Sequence, residues 1–79
     1  MNRKNYRGGI YKTVQGNMLE VHECDDGYDF TLTDKSSNDI DGGILEGDEW
    51  LAEEFVLYEA LALIDHEDEF KGIEKWIEW

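Results

Sequence analysis

This 79-residue sequence has one cysteine and two histidines, the residue types that most often bind zinc or act in a Cys–His pair. His22 and Cys24 stand two residues apart in an alternating segment, which places them on the same face of a predicted strand. Zinc sites are built mostly from several Cys or His ligands, and the only other histidine is His66. No group that would orient a Cys–His catalytic pair can be recognised. The sequence therefore predicts no enzyme, no bound metal and no cofactor.

A second candidate for metal binding is the charged run 65–69, Asp-His-Glu-Asp-Glu. Calcium loops alternate their acids with other residues and contain a central glycine. This run has neither feature, and we interpret it as a solvated connector between two helices. The pairs Gly8-Gly9 and Gly42-Gly43 match no phosphate-binding loop, and we interpret them as turn or bulge glycines.

Charge is the strongest signal in the composition, with 20 acidic residues against 7 basic ones and a net charge of −13. The first 12 residues contain Arg3, Lys4, Arg7 and Lys12 and no acid. An acidic surface repels nucleic acids and membranes and attracts basic proteins or cations. It also lowers stability through self-repulsion, so we expect it to have a function. The alternative is that the charge serves only solubility or reflects a salt-adapted host.

Many of the acids cluster around a predicted main helix, 48–65. Acids four residues apart on a helix lie about 6 Å apart at Cβ, which is comparable with the phosphate spacing along a nucleic-acid strand. A row of this kind fits the basic groove of a nucleic-acid-binding protein. We therefore predict a partner-binding surface made of Glu46, Asp48, Glu49, Glu53, Glu54, Glu59, Asp65, Glu67, Asp68 and Glu69.

Two helices are predicted to position these acids. The run 48–65 lacks Gly and Pro and begins at Asp48, a good N-cap. A second amphipathic helix is predicted over 67–79. Within the main helix we expect Phe55, Tyr58 and Leu61 to be among the most buried residues. This expectation rests on two neighbouring apolar stripes, Leu51, Phe55, Tyr58 and Ala62 in the first and Trp50, Leu57, Leu61 and Ile64 in the second.

Short alternating segments precede the helices and predict strands over 10–14, 18–24, 28–33 and 40–45. Asp26-Gly27 is a strong hairpin signal and predicts a tight turn with Gly27 at positive φ. Gly42-Gly43 predicts a bulge or bend in the fourth strand. The predicted fold class is α+β, a small antiparallel sheet of three or four strands followed by two C-terminal helices.

The length predicts a single small acidic domain over 1–79, with residues 1–9 expected to fray. The lone Cys24 cannot form an internal disulfide, which favours a reducing cytosol. No apolar run approaches the roughly 20 residues of a membrane span, and the N-terminus does not read as a secretory signal. The expected location is cytoplasmic, in the host cytosol if a phage encodes the chain.

Small size, strong acidity, an aromatic-rich core and the lack of a catalytic motif resemble the DNA-mimicking anti-defence proteins of phages and mobile elements. The stretch 27–45, GYDFTLTDKSSNDIDGGIL, is similar to a strand–loop–strand segment in small mobile-element proteins of gut Firmicutes. The resemblance implies an anti-CRISPR or anti-restriction inhibitor that binds the nucleic-acid groove of a defence nuclease. The alternative is an accessory protein that binds its partner through an aromatic or apolar patch, without mimicry.

Overall fold

The computed structural model describes residues 6–47 and 52–78. An antiparallel sheet dominates it, with one α-helix and one 3₁₀ helix inserted before the last strand. The spatial strand order is β4-β3-β2-β1-β5. The elements in chain order are β1 (Gly8–Lys12), β2 (Met18–Cys24), β3 (Gly27–Thr33), β4 (Asp39–Glu46), α1 (Glu53–Leu63), the 3₁₀ helix (Glu67–Phe70) and β5 (Glu74–Glu78).

The predicted fold class is wrong in its C-terminal part. Residues 74–78 form a strand rather than the end of a second helix, and β5 pairs antiparallel with β1. Gly72 adopts φ +75°, a conformation that ends helical structure and that glycine tolerates best. Pairing with β5 also gives hydrogen-bonding partners to the edge of β1, which a four-stranded meander would leave open. Over residues 6–47 and 52–78 the fold is therefore a five-stranded antiparallel sheet with one α-helix and one 3₁₀ helix.

The hairpin between β2 and β3 confirms the predicted pairing of these two segments. Val21 stands opposite Phe30, and Cys24 stands opposite Gly27. The two turn residues are therefore Asp25 and Asp26, one position earlier than predicted, and Gly27 is the first residue of β3. Its φ of +149° confirms the expected positive angle. A Cβ atom there would lie 1.9 Å from the Leu45 carbonyl oxygen, so only glycine fits.

The predicted bulge at Gly42-Gly43 is in the wrong place. Gly42 and Gly43 pair regularly with β3, and the register shifts further along, where Leu32 faces Asp41 but Thr33 faces Asp39. Ile40 is therefore the extra residue. A Cβ atom on Gly43 would lie 3.4 Å from the Phe30 ring and from a Leu63 methyl, so the glycine lets the ring and the helix approach the strand closely.

The core lies between one face of the sheet and α1. The alternation of β3 is confirmed, since Tyr28, Phe30 and Leu32 are buried. The prediction for the helix is confirmed for Leu61 but wrong for Phe55 and Tyr58, which are exposed. The helix has apolar residues on both sides, and the sheet covers only one of them. The complete core cluster is Tyr6, Tyr11, Leu19, Val21, Tyr28, Phe30, Leu32, Val56, Leu57, Ala60 and Leu61.

Candidate functional site

Helix α1 presents an apolar surface to solvent as well as to the core. Val56, Leu57, Ala60 and Leu61 form its buried face. At 100° per residue, Phe55 points almost opposite to this face, and its side chain is 50% exposed. A surface helix of a globular domain normally carries polar residues there. The outward stripe of α1 is thus an apolar surface without a covering element among residues 6–47 and 52–78.

Phe55, Tyr58 and Phe70 form a surface that we call the aromatic ridge. Tyr58 is 44% exposed, and its ring meets that of Phe70 edge to face at 5.5 Å between centroids. Edge-to-face pairs are favourable and hold both rings in a defined orientation. A shallow depression of about 430 Å³ lies over the ridge and is lined by Ala52, Glu54, Phe55, Tyr58 and Phe70.

Acids are frequent in the segment that carries the aromatic ridge, and Glu54 lines the depression over it. The segment 52–70, which contains α1 and the 3₁₀ helix, has no Lys or Arg. Of the predicted acids, Glu54, Glu67 and Asp68 are exposed, and Glu59 is half-buried on the helix. Asp65 is also exposed, and its φ of +62° places it in the left-handed conformation that often follows a helix.

Glu53 belongs to the predicted row but has a structural task. Its Oε2 accepts a hydrogen bond from the Tyr11 hydroxyl at 2.7 Å and lies 3.0 Å from the Lys75 Nζ. Tyr11 also shares a hydrogen bond with the Tyr6 hydroxyl. Burial, together with the hydrogen bonds to Tyr6 and Glu53, raises the pKa of Tyr11 far above its ordinary range. This network ties the start of α1 to β1 and β5, so Glu53 is only partly available to a partner.

The same network lines a second depression, of about 330 Å³, beside the start of the helix. Tyr11, Glu53, Glu54 and Lys75 supply its polar side chains, and Leu57, Phe70 and Ile73 its apolar wall. Three of the four polar side chains contact one another, since Glu53 binds both Tyr11 and Lys75. The arrangement is that of a structural network rather than of a reactive group held ready for a substrate.

Glu69 is the predicted acid that the structure removes from the surface, because its side chain is buried and only 1% of the residue is exposed. It accepts hydrogen bonds from Asn17 Nδ2 at 2.9 Å and from His66 Nδ1 at 2.7 Å. The Thr13 side chain is a further partner. Burial alone would raise the pKa of Glu69, but these hydrogen bonds outweigh it and the pKa is lowered. Glu69 therefore fastens the β1–β2 turn to the segment after α1.

The other predicted acids are Glu46, Asp48 and Glu49. Glu46 is exposed at the end of β4, and residues 48–51, which lie outside the described ranges, separate this strand from α1 in the sequence. Asp48 and Glu49 lie outside the described residues. The helix itself begins at Glu53, with Ala52 as its N-cap, rather than at residue 48. The described acids near the ridge are thus Glu54, Glu59, Asp65, Glu67 and Asp68, with Glu53 partly engaged.

Two surfaces were missed by the sequence reading. The first is the outward stripe of α1. The sequence contains a signal for it, because the helix has two apolar stripes although one apolar face is enough to fill the core. The second is the edge of the sheet at β4, where Ile44 is 58% exposed. The run of Ile and Gly in β4 predicts a bent strand; in the structure it lies at the edge of the described sheet, with Leu45 packed against the core and most of its other residues exposed.

Across residues 6–47 and 52–78, no group of three or more His, Cys, Asp or Glu side chains is placed to hold a metal ion. His22 Nε2 lies 3.0 Å from Glu20 Oε2 on an exposed part of the sheet, and Cys24 is half-buried and is not part of a disulfide. No α-helix in these ranges has the length and apolar character needed to cross a bilayer.

Comparison with known proteins identifies a family for most of the chain. Residues 7–75 match the family described as large polyvalent protein-associated domain 16 (LPD16). The match spans all the described elements except the end of β5. It associates the sequence with polyvalent proteins of phages and mobile elements. No curated protein and no solved structure gives a significant match.

Proposed function

The chain belongs to the large polyvalent protein-associated domain 16 family, and on that premise we propose that it is a non-catalytic domain that binds a basic partner protein through the aromatic ridge. The association of this family with polyvalent proteins of phages or mobile elements supports a role in such a setting. The binding mode that we propose is an apolar contact surrounded by charge, without a chemical reaction.

The observation that carries the proposal is the exposure of the aromatic ridge. Phe55 and Tyr58 are 50% and 44% exposed although they lie on the helix that fills the core. Aromatic side chains supply a large contact area at low entropic cost and dominate the energetics of many interfaces. The ring contact between Tyr58 and Phe70 orients this surface before binding. Contiguous exposed apolar patches of this kind commonly mark interaction sites.

The chemistry of the partner follows from the rim of the ridge. Glu54, Glu67 and Asp68 are exposed, and the segment 52–70 has no Lys or Arg, the first basic residue after it being the exposed Lys71 beside Phe70. Opposite charge at an interface rim accelerates association and disfavours wrong partners, while the buried centre sets the dissociation rate. A basic protein with an apolar groove between its Lys and Arg residues would complement this surface.

Site-specific photo-crosslinking in the native host tests the proposal. A benzophenone amino acid in place of Phe55 should form an adduct with a basic protein, identified by mass spectrometry. The matched control carries the same group in place of Val14, which is 73% exposed in the turn after β1. An adduct specific to position 55 supports the ridge. The same adducts from both positions, or none from position 55, would contradict it.

Affinity measurements with the identified partner separate the ridge from its acidic rim. Phe55→Ala should weaken binding at least tenfold, as expected for an aromatic anchor. Reversing Glu54, Glu67 and Asp68 to Lys should mainly slow association and reduce its salt dependence. Glu53 is left unchanged because its substitution would disturb the contacts with Tyr11 and Lys75.

A second candidate is inhibition of a defence nuclease by nucleic-acid mimicry, as an anti-CRISPR or anti-restriction protein. It is favoured by the net charge of −13 and by the exposed acids around α1. Under this candidate, duplex DNA competes with the protein for its partner and affinity falls steeply with salt. Phe55→Ala then has little effect, whereas the triple Lys variant loses most of its affinity.

A further inference from the structure

We propose that the free edge of β4 accepts an extended, basic segment of a partner protein as an additional antiparallel strand. This edge lies on the sheet and not on the aromatic ridge, so the inference goes beyond the function proposed above. β4 is the outermost strand beside β3 in the described sheet, and most of its residues are exposed. Extended peptides commonly add to such edges through main-chain hydrogen bonds.

The backbone of β4 offers alternate hydrogen-bonding groups to this edge. The Gly47 N–H donates to the Asp26 carbonyl oxygen at 2.9 Å, on the β3 side. Since these groups alternate along an antiparallel ladder, the N–H groups of Gly42, Ile44 and Glu46 point away from β3. The Gly42 N–H confirms the alternation, because its hydrogen-bond acceptor is Asp41 Oδ1, at 2.8 Å, and not an atom of β3.

The bulge at Ile40 limits the template to one part of the strand. Bulges twist an edge and interrupt regular pairing. The regular part is therefore Gly42–Glu46, over which each residue has a single partner in β3. This stretch is long enough for an added strand to form the hydrogen bonds of three outward-facing residues.

The side chains along the edge select a basic strand. A shallow depression of about 490 Å³ runs along it, lined by Asp29, Phe30, Thr31 and residues 39–44. The charged groups of this lining are Asp29, Asp39 and Asp41, and all are acidic. Gly42 and Gly43 keep the surface flat, and Ile44 offers an exposed apolar contact. A strand that alternates Lys or Arg with small apolar residues complements it.

The same acids disfavour a second copy of this chain as the occupant. Two β4 strands paired edge to edge would bring Asp39, Asp41 and Glu46 of one copy close to the same acids of the other. Like charges in directly opposed positions destabilise a strand pair. Charge complementarity therefore points to a basic partner.

Asp41 competes with an added strand for a hydrogen bond at this edge. Its carboxylate occupies the Gly42 N–H, which an added strand needs. A Lys or Arg of the incoming strand can attract the carboxylate and release this N–H, whereas a neutral strand cannot. Charged residues on edge strands commonly prevent unwanted pairing in this way. The Asp41 carboxylate thus makes the edge selective for basic strands and does not block it.

The test uses a capped peptide of about eight residues that alternates Lys and Val and the full, isotope-labelled chain. Nuclear magnetic resonance should show the largest amide shifts at Gly42, Ile44 and Glu46. Two further peptides carry N-methyl groups on either the odd or the even amides. In an added strand, either the odd or the even N–H groups face β4, and the other set faces solvent. The peptide methylated on the amides that face β4 should therefore lose at least tenfold in affinity, and the other should bind nearly as well as the parent.

Variants at Ile44 provide the matched control on the protein. Ile44→Pro removes an outward N–H, a change that edge strands tolerate, whereas Ile44→Ala keeps the N–H and shortens the side chain. We expect about a tenfold loss of affinity for Pro and little change beyond the lost apolar contact for Ala. Unchanged amide signals in β1, β2 and α1 establish that each variant is folded.

The proposal is overturned if both N-methylated peptides bind like the parent, because the peptide is then held by charge alone. Shifts concentrated on α1 instead of β4 would overturn it as well. The peptide test on the unmodified chain decides the question even if Ile44→Pro fails to fold. Phe55→Ala should leave peptide binding unchanged, so failure here and failure of the aromatic ridge are separate results.

Discussion

Replacing Glu69 tests whether one buried carboxylate holds two parts of the fold together. Glu69 lies in the 3₁₀ helix after α1, and two of its partners, Thr13 and Asn17, lie in the turn between β1 and β2. His66 completes the set with a 2.7 Å contact from Nδ1 to Glu69 Oε2. A carboxylate can only accept hydrogen bonds, so the Nδ1 atom of His66 carries the proton.

The expected loss of stability follows from the number of hydrogen bonds that the Glu69 carboxylate accepts. Glu69→Ala removes the acceptor of three donors, the buried Thr13 and the partly exposed Asn17 and His66. An unsatisfied buried donor costs about 1–3 kcal/mol and each further lost hydrogen bond about 0.5–1.5 kcal/mol. A core of this size supplies only about 3–5 kcal/mol of net stability, so the Ala variant should be largely unfolded. Glu69→Gln keeps an oxygen for Asn17 and an N–H that can donate to the other tautomer of His66. It should cost about 1–3 kcal/mol, the contribution of a charge-assisted bond.

The pH dependence separates loss of charge from loss of shape. The pKa of Glu69 is lowered in the folded state, so between this pKa and the usual value of about 4.3 the unfolded chain binds more protons than the folded one. Stability therefore rises with pH in that window. The contribution is complete above the unfolded pKa and is lost as the pH falls through the folded pKa.

Urea unfolding of the wild type and Glu69→Gln, followed by tryptophan fluorescence at neutral pH and at about pH 3, measures this contribution. The difference between the two proteins should be about 1–3 kcal/mol at neutral pH and should shrink in acid. Repulsion among the other acids affects both proteins and cancels in the difference. A difference that stays constant between the two pH values would show that the charge of Glu69 does not stabilise the fold.

Two further predictions concern packing. Phe55→Ala should lower the free energy of unfolding by less than about 1 kcal/mol because the ring is half exposed, whereas Leu61→Ala should lower it by about 2–5 kcal/mol. Thermal melts of both variants measure this order. A larger loss of stability for Phe55→Ala than for Leu61→Ala would refute the assignment of the helix faces. Gly27→Val should cost about 3 kcal/mol or more, because φ is +149° and the new Cβ would strike the Leu45 carbonyl. Gly43→Ala, whose new Cβ would make contacts of 3.4 Å, is the control and should be nearly neutral.

The sequence predicted the central part of the sheet well because local signals agree there. Alternation and the Asp-Gly pair placed β2 and β3 to within one residue and identified the inward side chains of β3, such as Phe30. The fourth strand was also found, although its bulge was put at the glycines instead of at Ile40. These features depend on neighbours in sequence or on a single hairpin, which a local pattern can reveal.

The C-terminal segment failed for a physical reason. Phe70, Ile73 and Ile77 have helical spacing, yet Gly72 breaks the segment and residues 74–78 pair with β1, far away in sequence. A pattern of apolar residues does not show that β1 has an unfilled edge. Tertiary pairing therefore outweighed the local helical preference.

The candidate site was harder to predict than the fold because function here depends on what remains uncovered. The stripe that contains Phe55 and Tyr58 has the periodicity of a core face, and only the three-dimensional structure shows that the sheet covers the other stripe. Glu69 looked like one more exposed acid in a charged run, but its partners Thr13 and Asn17 are more than 50 residues away in sequence. The sequence shows where the acids are in the chain, but it does not show which of them stabilise the fold through buried hydrogen bonds.

The two exposed apolar features share an acidic setting, and this gives the charge a role that solubility alone would not require. The aromatic ridge lies in a segment without Lys or Arg, and the edge of β4 is flanked by Asp39 and Asp41. Exposed aromatic patches and free strand edges are common starting points for non-specific association. Acids around both surfaces repel other copies of this acidic chain and attract basic strands, whereas a neutral strand gains no such attraction. Under the two proposals made above, the acidity therefore selects a basic partner for both exposed surfaces and disfavours self-association.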